Sequence, residues 1–521
     1  MTGQFAATAA APRQSSCAPR GRLRGRSVSE ATVEWFFDGR SADAADGTPR
    51  RTWVYRQVLD AIRAGTLAPG ARLPSARRLA AAWRVPRGAV DDAFAQLQSE
   101  GLVERRVGHG SIVAHRLHQG ARVAHAGPAV AVDASTRKAV ARLLSLAEEA
   151  RVSTPASDAS LRLRPGMPDT ASFPLPLWRR ELARALGDDR RSVLGYGVPS
   201  GLAALREATA KHLSLTRSIR CQPEQVLILG SPRQAIELMA RVLLAPGEAV
   251  CVEDPSPLAV TRRLSLPHLQ VVAVPPDDDG FDVAWARRHA PQAAAVVMQP
   301  LHQWPTGVRT SAARRRELLD WSDQGGAWIV ELDSLGEIVH DGAAPAALQC
   351  SDRSGRLIFV GSFGALTFPA LRIAYVVLPE SLIDVFAAMR GLMGEHVPVA
   401  MQSALAGFID GGHLSTHVRA VRRLYRERRD ALVQAVQRHL PDGARLGPVT
   451  GGIHASLHLD QRWPDVNLAE RLSERHLAVQ ALSRHAWQRQ GLNGLLLGYG
   501  ADDVESIDSA VAEIGALLCT S

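Results

Sequence analysis

Lysine is nearly absent from this 521-residue sequence: Lys138 and Lys211 are the only two among 61 basic residues, and arginine supplies the rest. An arginine- and alanine-rich composition is typical of GC-rich coding sequence and by itself indicates no function. The scarcity still constrains the chemistry, because a site that needs a lysine amine as a nucleophile must use one of these two residues.

Cysteine is also scarce, and its five residues stand singly along the chain: Cys17, Cys221, Cys251, Cys350 and Cys519. None has the close spacing of a zinc-binding pair, and their density is far below that of a secreted disulfide scaffold. We therefore expect reduced thiols, mostly in the core, and no metal site.

Long apolar runs are missing as well. No window holds the roughly 18 uninterrupted apolar residues of a membrane span, and the N-terminus lacks the apolar core and cleavage site of a secretory signal. These features predict a cytoplasmic protein with no membrane contact. The formal net charge of +9 and the pI of about 9.9 make nucleic acid a plausible partner, although such a charge fits many proteins.

Two stretches of the sequence show little periodicity. Residues 1–50 are rich in Ala, Arg, Ser and Gly, apart from a short apolar group at 33–37, and are interpreted as a disordered basic arm. Residues 116–163 are interpreted as a linker, with one amphipathic stretch over 140–147 that is long enough for a helix.

Between these stretches, residues 51–115 show three helical patterns. The first stops at Gly65, Ser75 is a good N-cap for the second, and the third begins near Pro86. Helices in this number and order, before a short hairpin, are typical of a winged helix-turn-helix, whose third helix enters the major groove of DNA.

The predicted hairpin follows the third helix. Residues 102–106 and 111–114 have the pattern of short strands, joined by a glycine-containing turn at 107–110, and residues 68–74 are interpreted as a loop. The hairpin would form the wing that lies beside the DNA backbone.

Basic residues are concentrated in this segment. Arg77 and Arg78 open the second helix and Arg87 opens the third, where side chains and helix N-termini meet phosphates. Residues 51–114 contain ten arginines and five acidic residues. The alternative is a small interaction module whose arginines only face solvent, but the charge at the helix starts and the wing favours DNA binding.

Three blocks in this segment resemble the winged-helix head of the GntR regulators: LPSARRLA at 73–80, VPRGAV at 85–90 and LQSEGLV at 97–103. The resemblance covers about sixty residues. It implies that Arg77 and Arg87 contact an operator, with Ser75 and Arg78 in the same element, and that Gly108 and Gly110 shape the wing.

From residue 164 onward, short apolar runs alternate with helical stretches. This pattern predicts an α/β domain with a mainly parallel central sheet over 164–397. After residue 398, a long helix near 417–439 precedes a strand-like alternation at 452–459, which predicts a smaller C-terminal α+β subdomain over 398–521.

Five blocks in this long region resemble the fold-type I aminotransferases: RPGMPD at 164–169, GYG at 195–197, VEDP at 252–255, HQWPTG at 302–307 and GSFGALTFPALR at 361–372. The head, linker and body together resemble the MocR-type subfamily of GntR regulators. The resemblance implies pyridoxal phosphate as a cofactor, a small-molecule effector, a double-stranded DNA operator and a homodimer.

The sequence departs from the family pattern at the cofactor ring. Ala365 stands where the family has the lysine that forms an imine with pyridoxal phosphate, and neither lysine of the chain is near. Leu332 and Ser334 replace the aspartate and tyrosine that contact the ring, and Pro257 lies where an aromatic residue stacks on it. The sequence therefore predicts no catalytic residue and makes covalent cofactor binding doubtful.

The phosphate end of the same site keeps the family residues. By resemblance, Ser362 and Arg372 are phosphate ligands, and the segment at Ser231 opens a helix that offers backbone amides. The alternative is that Ser362 and Arg372 persist for structure alone, with Arg372 paired to an acid. His302 and His454 are expected to be packing residues.

The sequence thus predicts a DNA-binding regulator whose aminotransferase-like body senses an effector and is not a working transaminase. A regulator that binds pyridoxal phosphate non-covalently remains open. An active aminotransferase remains a further alternative, although it would need a lysine in the site.

Overall fold

The structure is a computed structural model that describes residues 36, 48–106, 110–114, 140, 141, 144, 160–187, 193–265, 268–394 and 396–519. The chain divides into two compact units, Met1–Asp133 and Ala134–Ser521. The N-terminal unit is called the head and the C-terminal unit the body, and each is described by itself.

The head consists of three helices and a small antiparallel sheet. Its elements are α1 (Arg50–Arg63), β1 (Arg72–Leu73), α2 (Ala76–Trp83), α3 (Arg87–Ser99), β2 (Val103–Arg106) and β3 (Gly110–Val113). The strand order is β1-β3-β2. The prediction of a loop over 68–74 was therefore wrong at its end, because Arg72 and Leu73 pair with Ile112 and Ser111. A two-residue strand has too little sequence pattern to be recognised without its partner.

The head has its own apolar core, built from one face of each helix and from the wing. Phe36, which falls within the predicted disordered arm, is fully buried in this core. Its carbonyl oxygen accepts a hydrogen bond from Trp83 Nε1 at 2.9 Å, and the two rings lie 6.0 Å apart. The prediction of disorder is wrong at Phe36, because its aromatic ring gains apolar contacts there. The rest of the predicted arm up to residue 47 lies outside the described residues.

The body contains a seven-stranded central sheet in the order β4-β12-β11-β10-β9-β5-β6. The strands are β4 (Val226–Leu229), β5 (Ala249–Glu253), β6 (Gln270–Val274), β9 (Ala295–Met298), β10 (Trp328–Asp333), β11 (Leu357–Ser362) and β12 (Ala374–Val377), with a separate two-stranded ribbon of β7 (Pro276–Asp277) and β8 (Gly280–Phe281). The sheet is parallel except that β12 runs antiparallel to both β11 and β4. The mainly parallel sheet is confirmed.

Helices cover both faces of the central sheet, as expected when its strands are buried on both sides. The helices of the body, in the order of the chain, are α4 (Leu175–Gly187), α5 (Ala203–Thr216), α6 (Pro232–Leu243), α7 (Leu258–Ser265), α8 (Val283–His289), α9 (Ala312–Gly325), α10 (Phe363–Leu366), α11 (Ile383–Met393), α12 (Val399–Asp410), α13 (His413–His439), α14 (Asp465–Ser473) and α15 (Val504–Cys519). Short 3₁₀ turns occupy Pro223–Gln225, Leu348–Ser351, Pro369–Leu371, Glu380–Leu382 and Leu482–His485.

A second, four-stranded antiparallel sheet follows helix α13. It has the order β13-β14-β16-β15, from β13 (Ala444–Leu446), β14 (His454–Leu459), β15 (Gln480–Ala481) and β16 (Gly494–Gly498). The long helix α13 packs against the C-terminal helix α15, whereas α12 packs against α4 and α5. The C-terminal α+β organisation is therefore present, although its first helix packs on the earlier part of the body.

The structure describes two parts of the predicted linker, one of them within the stretch 140–147 where a helix was expected. Val140 and Leu144 are helical and exposed. Leu163 is fully buried in the body core, and its N–H donates to Asp502 at 2.9 Å. The linker prediction is therefore wrong for its last residues, which belong to the body because burial of Leu163 stabilises them there.

Among the helices that the structure describes, none is both long enough and apolar enough to cross a membrane.

Candidate functional site

The exposed ends of α2 and α3 carry the basic residues of the head. Val90, Phe94 and Leu97 bury one face of α3 in the core, so its other face, including Arg87 at its first position, points to solvent. Arg77 and Arg78 are exposed at the start of α2. The arrangement can offer guanidinium groups to a phosphate backbone.

Ser75 has a structural role that its sequence position predicts. It is the N-cap of α2, and its hydroxyl oxygen accepts a hydrogen bond from the backbone N–H of Arg78 at 3.4 Å. The cap satisfies one of the free amides at the helix start. Ser75 therefore fixes where Arg77 and Arg78 begin the helix.

An acidic residue links helix α3 to strand β2. Asp91 Oδ2 lies 3.4 Å from Arg87 Nε, and its Oδ1 lies 3.1 Å from Arg105 Nη2 on strand β2. Sequence reasoning missed Asp91, because the contact with Arg105 depends on how the wing folds back. Gly110 begins β3 with a φ of +82°, a conformation that favours glycine. Gly108 lies outside the described residues.

A cavity of about 530 Å³ lies in the body at the ends of the central strands. Ligand sites in open α/β sheets form at the carboxyl ends of the strands. The lining residues are Gly166, Ser231, Pro232, Arg233, Ile236, Pro257, Ala259, Val260, Gln299, His302, Trp304, Leu332, Asp333, Ser334, Leu335, Ala365, Pro369, Arg372 and His454.

One end of this cavity is basic. Ser231 caps helix α6, and Arg233 follows in the first turn, while Arg372 precedes strand β12 beside β4. Neither Arg233 nor Arg372 pairs with a carboxylate in the part of the chain that the structure describes. Burial lowers the pKa of Arg233, and the charges of Arg263 and Arg372 lower it further. Uncompensated cations at a helix N-terminus form a good anion site.

Ser362 does not join this basic end. It ends strand β11 and is half-buried, but it is not among the residues that line the cavity. Of the three predicted anion ligands, the structure therefore brings Ser231 and Arg372 together on the cavity wall, with Arg233 as an addition that the sequence did not single out.

The middle of the cavity is apolar. Leu332, Pro257 and Ile236 line it beside Ala365. None of the described lining residues is a lysine. Lys211 is exposed on helix α5, and Lys138 lies outside the described residues.

Asp333 contributes little negative charge to the cavity, because its carboxylate forms an ion pair with Arg217. Its Oδ2 lies 2.6 Å from Arg217 Nη2, and both side chains are almost fully buried. Arg217 Nη1 also donates to the carbonyl of Pro345 at 2.6 Å. The ion pair therefore neutralises the carboxylate that stands next to Leu332.

The other end of the cavity carries two histidines. Burial lowers the pKa of His302 to about 3 and that of His454 to about 4, so both imidazoles are neutral at pH 7. His302 Nε2 and His454 Nδ1 are buried and have no hydrogen-bond partner in the described chain. The Trp304 ring lies 4.3 Å from that of His454. The sequence led us to expect packing residues, whereas the structure places both on the cavity wall.

Gly451 lets the His302 ring approach the backbone. A Cβ at Gly451 would clash with Cε1 of that ring and with the carbonyl of Ile338. The only sequence signal for this arrangement is a glycine pair before β14, which does not reveal its distant partner.

The two ends of the cavity differ in how well they fit pyridoxal phosphate. Two unpaired arginines and the start of α6 fit its phosphate. The remainder does not fit a covalently held cofactor, because no described lining residue offers an amine and the nearby carboxylate is paired with Arg217. The described residues also contain no cluster of three side chains able to ligate a metal ion.

Comparisons with known families agree with this architecture. Residues 51–113 match the family model of the bacterial regulatory proteins of the gntR family, and residues 161–490 match that of aminotransferase class I and II. This chain belongs to the GntR-type regulators with an aminotransferase-like domain. The second match begins close to the buried Leu163.

Two regulators are similar over nearly the full length. The probable rhizopine catabolism regulatory protein MocR of Rhizobium meliloti is 29% identical, over 89% of this chain and 92% of that protein. The pyridoxine biosynthesis transcriptional regulator PdxR of Corynebacterium glutamicum is 30% identical, over 89% and 94% respectively. The chain is thus of the MocR and PdxR type of transcription regulator.

Solved aminotransferases share the fold of the body. The kynurenine aminotransferase of Pyrococcus horikoshii is 25% identical with a TM-score of 0.65, covering 73% of this chain and 94% of its own. LysN, the α-aminoadipate aminotransferase of Thermus thermophilus, solved with N-(5′-phosphopyridoxyl)-L-leucine, is 25% identical with a TM-score of 0.65, covering 72% and 97%. The fold-type I body predicted from the sequence is confirmed.

Proposed function

We propose that this MocR-type regulator binds an operator through its head and an anionic small-molecule effector through the cavity of its body, without transaminase activity. The observation that carries the proposal is the composition of the cavity. It has two arginines without carboxylate partners and Ala365 at the family's lysine position, and none of its described lining residues is a lysine.

The head supports the DNA-binding part of this proposal. Ser75 sets the start of α2, Arg77 and Arg78 project from it, and Arg87 projects from the start of α3. Gly110 has a positive φ at the start of β3, a conformation that favours glycine. We assign these residues, with Gly108, to operator contact and wing shape, in the way that winged helices meet the groove and the backbone.

The loss of transaminase activity follows from the chemistry of the ring site. A methyl group at Ala365 can form no imine and shuttle no proton. Leu332 cannot hold a pyridine nitrogen protonated, and Ser334 and Pro257 replace the aromatic contacts of the family. These four positions act on the same ring, so restoring one leaves the others unsuited.

A second candidate is a regulator that binds pyridoxal phosphate without a covalent bond. It is favoured by the basic end of the cavity, where Ser231, Arg233 and Arg372 suit a phosphate. An active aminotransferase is the least supported alternative, because Lys211 is exposed on α5 and is not a cavity residue.

We also propose a cytoplasmic homodimer, by analogy with the family. Exposed apolar side chains at Leu194 (77% exposed), Tyr196 (97%) and Val198 (58%) support a partner surface on the body. Light scattering of the purified protein would give twice the 56.0 kDa chain mass if this is correct.

One experiment separates the three candidates. The protein is incubated with pyridoxal phosphate and reduced with borohydride, and its mass is then measured by mass spectrometry. Lys211→Arg is the control for imines formed at the surface. The proposal predicts no covalent adduct in the cavity, no amino-acid turnover, and operator binding in a mobility shift assay. Retention of unreduced cofactor after gel filtration would favour the second candidate, and an adduct with turnover would overturn the proposal.

A further inference from the structure

Residues 1–29 carry five of the nine net positive charges of the chain. They hold five arginines and no acidic residue, whereas the remaining 492 residues hold 56 basic and 52 acidic residues. Arginine elsewhere in the chain is therefore nearly balanced by acids, and the overall composition does not explain the excess in this segment. A short segment with charge of one sign is typical of arms that bind nucleic acid.

Four of these arginines alternate with glycine and leucine in the segment RGRLRGR at 20–26, which is called the arginine repeat. In an extended chain, alternate side chains lie on one face about 7 Å apart. This distance is about two base-pair steps of DNA, at roughly 3.4 Å for each step. Glycine has no side chain, so the backbone at Gly21 and Gly25 can approach a surface closely.

Phe36, ten residues after the repeat, attaches this part of the chain to the head. Its ring is fully buried in the head core, and its carbonyl oxygen accepts a hydrogen bond from Trp83 Nε1 at 2.9 Å. Trp83 ends α2 and stands four residues before Arg87, the first residue of α3. Four residues span at most about 14 Å and ten residues at most about 36 Å. The repeat is therefore tethered within reach of any DNA that is bound at the start of α3.

The minor groove of A·T-rich DNA fits the repeat better than other anionic surfaces do. This groove is about 6 Å wide. It narrows further in A-tracts, where its negative potential attracts inserted arginines. Pairs of A and T also lack the amino group that guanine places in the groove. A lipid surface fits less well, because Leu23 is the only large apolar side chain of the repeat and membrane-bound segments need an apolar face.

We infer that the arginine repeat binds the minor groove of A·T-rich DNA beside the operator, with its guanidinium groups in the groove and Gly21 and Gly25 against its floor. The inference rests on the operator binding of the proposed function, to which it adds a second contact. The gntR match begins at residue 51, so the repeat lies outside the residues that match the family. The consequence is a preference for A·T pairs that a helix in the major groove does not supply.

The test compares the binding of the full chain to three duplexes of equal length, made of A·T, G·C or I·C pairs, by fluorescence anisotropy. Inosine lacks the amino group of guanine, so an I·C pair keeps the major-groove pattern of G·C but has the minor-groove pattern of A·T. The A·T and I·C duplexes should bind about tenfold more tightly than the G·C duplex. Equal binding of the I·C and G·C duplexes would overturn the inference.

A variant without the four charges assigns the preference to the repeat. The variant combines Arg20→Gln, Arg22→Gln, Arg24→Gln and Arg26→Gln. It should bind the I·C and G·C duplexes equally, and the slope of log affinity against log salt should flatten by about 3 to 4, since each lost contact contributes about 0.9. The matched control replaces four exposed arginines of the body by glutamine and should keep both the preference and the slope: Arg287, Arg288, Arg423 and Arg426.

A second variant separates minor-groove binding from charge alone. Gly21→Val with Gly25→Val keeps every charge but adds side chains where the backbone must approach the groove floor. It should therefore lose the preference for the I·C duplex while binding the G·C duplex as the parent protein does. An unchanged preference in this variant would overturn the close approach that the inference requires.

The outcomes separate the inference from the proposed function. If the full chain binds none of the three duplexes, the proposed function is wrong and the inference is wrong with it. If the full chain binds DNA but the four-glutamine variant keeps the preference for I·C, only the minor-groove contact is wrong. If that variant keeps the preference and instead loses binding to phosphatidylserine vesicles, the repeat is a lipid contact and the inference is overturned.

Discussion

Arg217 forms a buried ion pair with Asp333, a residue of the cavity wall, with Nη2 and Oδ2 2.6 Å apart. Arg217 lies just after helix α5 and Asp333 ends strand β10, so the pair joins segments 116 residues apart. It also decides the chemistry of the cavity, because it neutralises the carboxylate next to Leu332.

Removing one member of this pair should destabilise the body strongly. Arg217→Leu leaves an uncompensated buried carboxylate, which typically costs about 3–5 kcal/mol. The expected result is a large fall in the thermal midpoint of the body, measured by calorimetry. As the control, Arg241→Leu removes an exposed pair with Glu237 and should lower the free energy of unfolding by no more than about 1 kcal/mol. Equal effects of the two substitutions would contradict the structural role of the buried pair.

Restoring a lysine should not restore the enzyme. Ala365→Lys is expected to give no amino-acid turnover with added pyridoxal phosphate, because Leu332 and Ser334 leave the ring without its charge partner and phenol. Product formation is measured against Ala365→Met, which has similar length but no amine. Turnover by the lysine variant alone would show that Leu332 and Ser334 do not prevent catalysis.

Arg87 should contribute to operator binding and not to folding. Its side chain is 71% exposed, so Arg87→Ala should leave the head folded while weakening DNA binding by about 1–3 kcal/mol if it contacts a base. If it contacts a phosphate, the loss should be similar across sequences and the salt dependence should flatten. A mobility shift titration at several salt concentrations distinguishes these cases, and Arg241→Ala in the body is the control. If Arg87→Ala binds the operator as tightly as the parent protein, Arg87 makes no such contact.

Asp91 should restrain the arginines of the head. Asp91→Asn frees Arg87 and Arg105, and an exposed pair is worth about 0.2–1 kcal/mol, so affinity for non-specific DNA should rise by a factor of up to about five. Asp92→Asn makes the same charge change one residue along and provides the matched control. If both variants gain equally, the effect is only one of net charge.

Short sequence patterns predicted those features of the structure that depend on residues close together in the chain. The helix start at Ser75 and the mainly parallel central sheet could both be predicted from the sequence. The pairing of Arg217 with Asp333, the antiparallel strand β12 and the burial of Phe36 could not, because each depends on which distant segments pack together. For the same reason the sequence could not predict that His302 lies on the cavity wall, because its surroundings come from β9, β14 and Gly451.

Glu253 should make the stability of the body depend on pH. It ends strand β5 in full burial, which raises its pKa to about 8, although the backbone N–H of Gln299 donates to it. Because this folded-state pKa lies above the unfolded value of 4.5, the neutral carboxyl adds stability below about pH 4.5 that is lost as pH rises towards 8. Glu253→Gln is permanently neutral. Its thermal midpoint should therefore match that of the parent protein near pH 4.5 and exceed it progressively from pH 5 to pH 8.

The exposed Glu207→Gln is the control, and its thermal midpoint should follow that of the parent at every pH. If the thermal midpoints of Glu253→Gln and the parent differ by the same amount at every pH, the side chain is already ionised in the folded protein.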